Sequence, residues 1–325
     1  MRFFPLTNAL QASQIALGGN IFGYFCDEKE TAALFDAAEE CGINFVDTAD
    51  VYSAGLSETF IGNALKTRRD RWIVASKIGL ESGGDPRHCG RPENIRLKIE
   101  ASLRRLQTDY IDLYQMHHFD PATPLEESLR CLEALRREGK IRAYGLSNFS
   151  GAALKAACDF AGCYAMPMPT GNQRHYNLIA RAAEQDAFPV AARYGAPLLV
   201  YGVLARGILS AKYKTGDPLP KQSRALRSPS LRQDLTGDVI ETVHQMAQCA
   251  ENNGASLSQA AVAWSLRSQE VGAAIIGMRS PEQVRSIAHA ADLTLPSPFI
   301  SELETLARQI EAAHANGFGV APLYG

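Results

Sequence analysis

Short apolar runs alternate with longer stretches of helical spacing along almost the whole chain. The runs begin at Gln14, Asn44, Trp72, Tyr110, Ala143, Pro169, Pro197 and Ala273, and their length suits strands buried on both faces rather than helices. Amphipathic stretches lie between them at about 28–41, 57–66, 93–106, 124–139, 151–161 and 184–194. Further helical patterns cover about 239–251 and 257–268, start again at Pro281, and end with about 300–313. Punctuation agrees with this division: Gly42 stops the first helix, Ser57 is placed to cap the second, and Pro124 falls in the first turn of the fourth. Residues 2–4 are expected to pair with 14–17 as a small hairpin.

Eight repeats of strand and helix predict an α/β fold, a closed parallel (β/α)8 barrel of the TIM type. It carries an N-terminal β-hairpin, a long loop over 202–237 after the seventh barrel strand, and an extra C-terminal helix. No shift in composition marks a linker, so residues 1–325 are expected to form a single domain. The rival, a doubly wound sheet, normally shows a GxGxxG turn after its first strand, and the turn here is Gly18-Gly19-Asn20.

Composition narrows the partner. A formal net charge of −2 offers no bulk attraction for nucleic acid or an anionic membrane, so a small molecule is the expected ligand. Seven scattered cysteines without a CxxC pair read as reduced thiols. The N-terminus lacks the apolar core of a signal peptide and no run approaches spanning length, so a cytoplasmic location is expected.

In such a barrel the reactive residues stand at the C-terminal ends of the strands, where they converge although distant in sequence. Asp47, Lys77 and His117 each hold that position, and Tyr52 follows a few residues after Asp47. Each alone suits an ordinary role, such as a turn cap, a solvated cation, a satisfied buried histidine or a loop anchor. Together they form a constellation of matched charges. A phenol with pKa near ~10 is a weak acid at neutral pH, and an adjacent ammonium favours its ionised form. Lys77 can supply the ammonium, Asp47 can hold Lys77, and neutral His117 can donate a hydrogen bond to a substrate oxygen. This is machinery for protonating an oxygen that is becoming an alkoxide. His117 and His118, as neighbours on a strand, are expected to point to opposite faces and so not to pair on a metal; His88 and Cys89 are expected on a substrate-side wall.

The segments Phe45-Val46-Asp47-Thr48-Ala49-Asp50-Val51-Tyr52, Ala75-Ser76-Lys77, Tyr110-Ile111-Asp112-Leu113-Tyr114-Gln115-Met116-His117 and Gly145-Leu146-Ser147-Asn148-Phe149 resemble, in order and spacing, signature regions of the aldo-keto reductase superfamily. The resemblance implies an NAD(P)H-dependent enzyme that reduces a small aldehyde or ketone, with Tyr52 as acid-base. Keto-sugar reduction, or a cofactor-binding regulatory subunit like the channel β-subunits, are its alternatives. It also implies that Ser147, Asn148 and Gln173 meet the nicotinamide carboxamide, that Tyr201 stacks on the ring, and that Gly19 and Asn20 join the cofactor site. Gly202, Val203, Leu204, Arg206 and Gly207 would cover the pyrophosphate, with Arg206 standing where many members carry a neutral residue. Gly277, Arg279, Ser280 and Gln283 would take the adenosine end, where a cation and a hydroxyl at a helix N-terminus suit a 2′-phosphate. Ile287 stands where many relatives have an asparagine near the adenine, so NADH stays open beside NADPH.

Overall fold

The computed structural model describes residues 1–79, 85, 87–221 and 223–313. Strands β1 (Phe3–Thr7) and β2 (Leu10–Ser13) make an antiparallel hairpin. The eight that follow are β3 (Ile15–Gly18), β4 (Phe45–Asp47), β5 (Ile73–Ile78), β6 (Ile111–Met116), β7 (Ile141–Ser147), β8 (Asn172–His175), β9 (Leu198–Tyr201) and β10 (Val271–Ile276). They close in chain order into a parallel barrel, with β10 pairing both β9 and β3. Around it run α1 (Glu28–Glu40), α2 (Leu56–Leu65), α3 (Pro92–Leu106), α4 (Leu125–Arg137), α5 (Gly151–Cys163), α6 (Ala183–Asp186), α7 (Phe188–Tyr194), α8 (Pro229–Asp234), α9 (Gly237–Asn252), α10 (Leu257–Ser265), α11 (Pro281–Ala288) and α12 (Ser297–Ala313). No helix among the described residues is long and apolar enough to cross a membrane.

The hairpin plugs the N-terminal end of the barrel. Phe4, Leu6 and Ala12 pack against a layer in which small residues, Ala16, Ala75, Ala143 and Ala273, alternate with Phe45, Leu113 and Leu199. A Cβ on Gly272 would sit 2.7 Å from the Phe4 ring, so that glycine makes the seat for it. With this end filled, the opposite end is the one free to bind a ligand.

Four local expectations are corrected. The hairpin partner is 10–13, not 14–17, because the Thr7 hydroxyl accepts from Ala9 and Leu10 N–H and turns the chain early, releasing Ile15 onward to the barrel. Ser57 is not a cap: the chain passes through left-handed Ser53, Ala54 and Gly55 and α2 has already begun at Leu56. Buried Ser57 instead donates to Gly19 O at 2.8 Å. Strand β8 starts at Asn172 rather than Pro169, since Pro169 has no N–H to give a ladder and Gly171 at φ +95° breaks the extended path. The helix expected over 184–194 is two, restarted at Pro189. Residues 80–84, 86, 222 and 314–325 lie outside the described residues.

Candidate active site

Asp47 closes β4, Lys77 sits in β5, and His117 follows β6 directly, so ladder register alone brings the three to one end of the barrel. The left-handed pair Ser53 and Ala54 then folds the β4 loop back and lays Tyr52 over them, buried. Lys77 has no exposed surface. Its ammonium donates to Asp47 Oδ2 at 2.6 Å, to Thr48 O at 2.8 Å and to Tyr52 OH at 3.1 Å, spending its three protons on three acceptors. The His117 ring meets the Tyr52 ring edge-on at 5.9 Å between centroids. Burial, then the charges of Lys77 and His118, holds His117 well below the usual histidine range, so it is neutral near pH 7.

The second oxygen of Asp47 is held as firmly as the first. Oδ1 accepts from Gln173 Nε2 at 2.7 Å and from Gln115 Nε2 at 3.2 Å. Asn148, at φ +59°, donates to His117 O at 3.0 Å and to Ser147 Oγ at 3.1 Å, and accepts from Tyr201 OH at 2.8 Å. It is thus a strut between β6, β7 and β9 with one oxygen lone pair left over.

A cavity of about 1120 Å³ opens above these groups and runs to the N-terminus of α11. Of the residues implied for the cofactor, Gly19, Asn20, Asn148, Gln173, Tyr201, Gly202, Val203, Leu204, Arg206, Gly207, Gly277, Arg279, Ser280 and Gln283 all line it. Ser147 does not; its side chain is buried beneath Asn148. Arg206 is turned sideways to Asp234 of α8 and to Ser230 Oγ at 3.1 Å, so it pins the long loop to itself. Ser280 caps α11 and Gln283 accepts from Arg279 N at 2.8 Å, which fixes the backbone at that end.

Two histidine expectations change. His117 and His118 lie past the end of β6, where strand alternation no longer applies, and their rings stack at 5.0 Å between centroids, both on the cavity. His88 is exposed and Cys89 buried, and neither lines the cavity, because the Gly90 N–H next to them is tied to Asp120 at 2.9 Å. Cys26, Cys41, Cys131, Cys158, Cys163 and Cys249 are free thiols.

Sequence reasoning missed Lys212, Lys221 and Arg224, which also line the cavity; Lys212 feels the charges of both Arg279 and Arg224. Arg279 lies flat on Phe25 at 3.7 Å. Burial, then Arg279 and Arg224, pushes Lys212 below the usual lysine range, and it makes no ion pair among the described residues. Cations spread through a 36-residue polar loop (202 to 237 inclusive) carry no periodic signal that would place them. Gln115 and His175 were missed for the opposite reason: within a strand they look like ordinary polar interruptions.

A sequence model of the Aldo/keto reductase family matches residues 14–308, spanning all eight barrel strands, and the chain belongs to this family. Similar proteins include "Aldo-keto reductase YhdN" of Bacillus subtilis, 33% identical over 91% of this chain and 90% of that one. "Uncharacterized oxidoreductase YrpG" of the same organism is 32% identical over 91% and 93% of the two chains. "Putative voltage-gated potassium channel subunit beta" of Schizosaccharomyces pombe is 32% identical over 85% and 84%. Family membership places the chain among the oxidoreductases.

Proposed function

We propose that this protein reduces the carbonyl group of a small aldehyde or ketone to the alcohol, with NADPH as hydride source and Tyr52 as proton donor. The observation that carries the reading is the contact of the Tyr52 hydroxyl with the buried Lys77 ammonium, itself clamped by Asp47, at the floor of a large cavity.

The residues present fit a phosphorylated dinucleotide. One end of the cavity holds Tyr201 and the Gln173 amide, and the other gathers Arg279, Lys212 and Arg224 by a capped helix N-terminus, a site built for a dianion. Between them Gly202 at φ +70° and Gly207 at φ +96° bring bare backbone to the wall. When bound, the reduced cofactor supplies a hydride to the carbonyl carbon. Tyr52 gives its proton to the carbonyl oxygen, and Lys77 stabilises the phenolate left behind. Neutral His117 donates a hydrogen bond to the same oxygen without competing as an acid. Solvent returns the proton to Tyr52, and the same groups run backward for alcohol oxidation.

Incubating the protein with NADPH and a panel of aldehydes and ketones, and following absorbance of the reduced nicotinamide, tests this. Turnover of at least one class is expected. The similarity to potassium channel β-subunits supports a second reading, a cofactor-binding regulatory partner, and tight NADPH binding with no turnover of any carbonyl decides for it.

A further inference from the structure

Gln115 sits in the middle of β6 with no exposed surface. In register it lies between Lys77 of β5 and Gly145 of β7. A Cβ at Gly145 would come within 2.9 Å of Thr170 O and 3.3 Å of Gln115 Cγ, so the glycine keeps this layer of the barrel uncrowded around Gln115. Its Nε2 donates to Asp47 Oδ1 at 3.2 Å, and its own Oε1 has no hydrogen-bond partner among the described residues. A carboxylate only accepts, so the amide must face it with its NH2 group and leave the oxygen unmatched. Orphaning a buried carbonyl oxygen costs stability, and a methionine or leucine would fill the same volume without that cost. Packing therefore does not account for the amide.

Gln173 has two tasks on the reading given above: it donates to the same Asp47 oxygen and faces the cavity where the nicotinamide end of the cofactor is proposed to lie. We propose that Gln115 is a positioning residue of the Asp47–Lys77–Tyr52 chain, holding the Asp47 carboxylate in place so that Gln173 is free to engage the cofactor. Gln115 touches neither substrate nor cofactor. It acts through Asp47, which fixes the Lys77 ammonium under the Tyr52 hydroxyl, and small losses of such alignment cost rate steeply.

This inference rests on the proposed carbonyl reduction, and its test separates the two. NADPH-dependent reduction of an aromatic aldehyde, 4-nitrobenzaldehyde, is measured from about pH 5 to about pH 8 for the wild-type chain, Gln115→Met and Gln115→Glu. NADPH affinity is measured by fluorescence titration, and stability by urea unfolding at each pH. If the wild type turns over no carbonyl in the panel above, the reading of function falls and the inference with it. If the wild type is active, Gln115→Met is expected to keep NADPH affinity within about threefold and to lose roughly tenfold or more in kcat at every pH.

Gln115→Glu carries the diagnostic. The groups around that position are Asp47 on β4, Lys77 on β5 and the Gln173 amide on β8, with Tyr52 and His117 beyond them. Protonated, the introduced carboxyl can donate to Asp47 as the amide does; ionised, it repels it. Burial and Asp47 raise its pKa above the unfolded value of about 4.3. Stability and kcat relative to wild type are therefore both highest at low pH and fall as pH rises through the folded value, by roughly tenfold or more in kcat. Gln115→Met shows no such fall. Wild-type kcat in Gln115→Met, or parallel pH profiles in the two variants, overturns the proposal.

Discussion

Removing Lys77 alone should destabilise the fold by much more than a surface cation would, and removing its partner as well should restore most of the loss. The Lys77 side chain is 0% exposed and that of Asp47 3%, so Lys77→Met leaves a carboxylate buried with two amide donors and no countercharge. Breaking one side of a buried pair costs about 3–5 kcal/mol; the Gln173 and Gln115 amides stay in place, which points to the lower end, about 3 kcal/mol. For a chain of this size that is a drop of roughly 4–5 °C in Tm. Asp47→Asn leaves the mirror problem, a buried ammonium with no countercharge and an amide whose single oxygen cannot accept from both Lys77 and the Gln173 and Gln115 donors, and should cost a similar amount. The double variant buries no net charge, so a cycle of urea unfolding free energies should give a coupling of at least about 2 kcal/mol. Additive losses, or a Lys77→Met protein within about 0.5 kcal/mol of wild type, would refute the claim that the two charges hold each other.

Other perturbations probe separate parts of the account. Burial, then Arg206 and Arg174, pushes His175 down to about 4, while the unfolded value is about 6.5; the unfolded chain therefore protonates first, and stability is lost as pH falls from about 6.5 to about 4. The loss amounts to at most about 3 kcal/mol, and His175→Asn should flatten that stretch of the urea-unfolding pH profile. Lys212→Ala and Arg279→Ala should each weaken NADPH binding by roughly tenfold or more while changing NADH binding little, since the charge meets only the extra phosphate; equal losses for both nucleotides in fluorescence titration would remove the phosphate from that end. Phe4→Ala should cost about 3–5 kcal/mol in unfolding free energy with kcat preserved, because the hairpin plug and the cavity are at opposite ends of the barrel.

The barrel was legible because all its strands but the polar β8 are short apolar runs whose last residues lead straight into loop chemistry, and strand periodicity places Asp47, Lys77 and His117 without any tertiary information. Register then did the rest, since the Asp47–Ala75 and Lys77–Gln115 pairings are consequences of closing eight such strands. Loop geometry was not legible. Ser53 and Ala54, which fold Tyr52 inward in left-handed conformation, are residue types that do not announce it, and the turn of Arg206 toward Asp234 depends on where α8 lies after the loop. The His117–His118 stack escaped because β6 ends at Met116, so the strand alternation assumed for the two histidines does not reach them.

The central claim is that Tyr52 delivers the proton to the carbonyl oxygen. Single-turnover reduction of 4-nitrobenzaldehyde by the preformed NADPH complex of Tyr52→Phe tests it, because the change deletes one oxygen from a buried site and leaves Lys77, Asp47 and the cofactor-lining residues in place. NADPH affinity is expected to stay within about threefold of wild type and the reduction rate to fall by roughly a hundredfold or more. A Tyr52→Phe complex that oxidises its bound NADPH at close to the wild-type rate would contradict it.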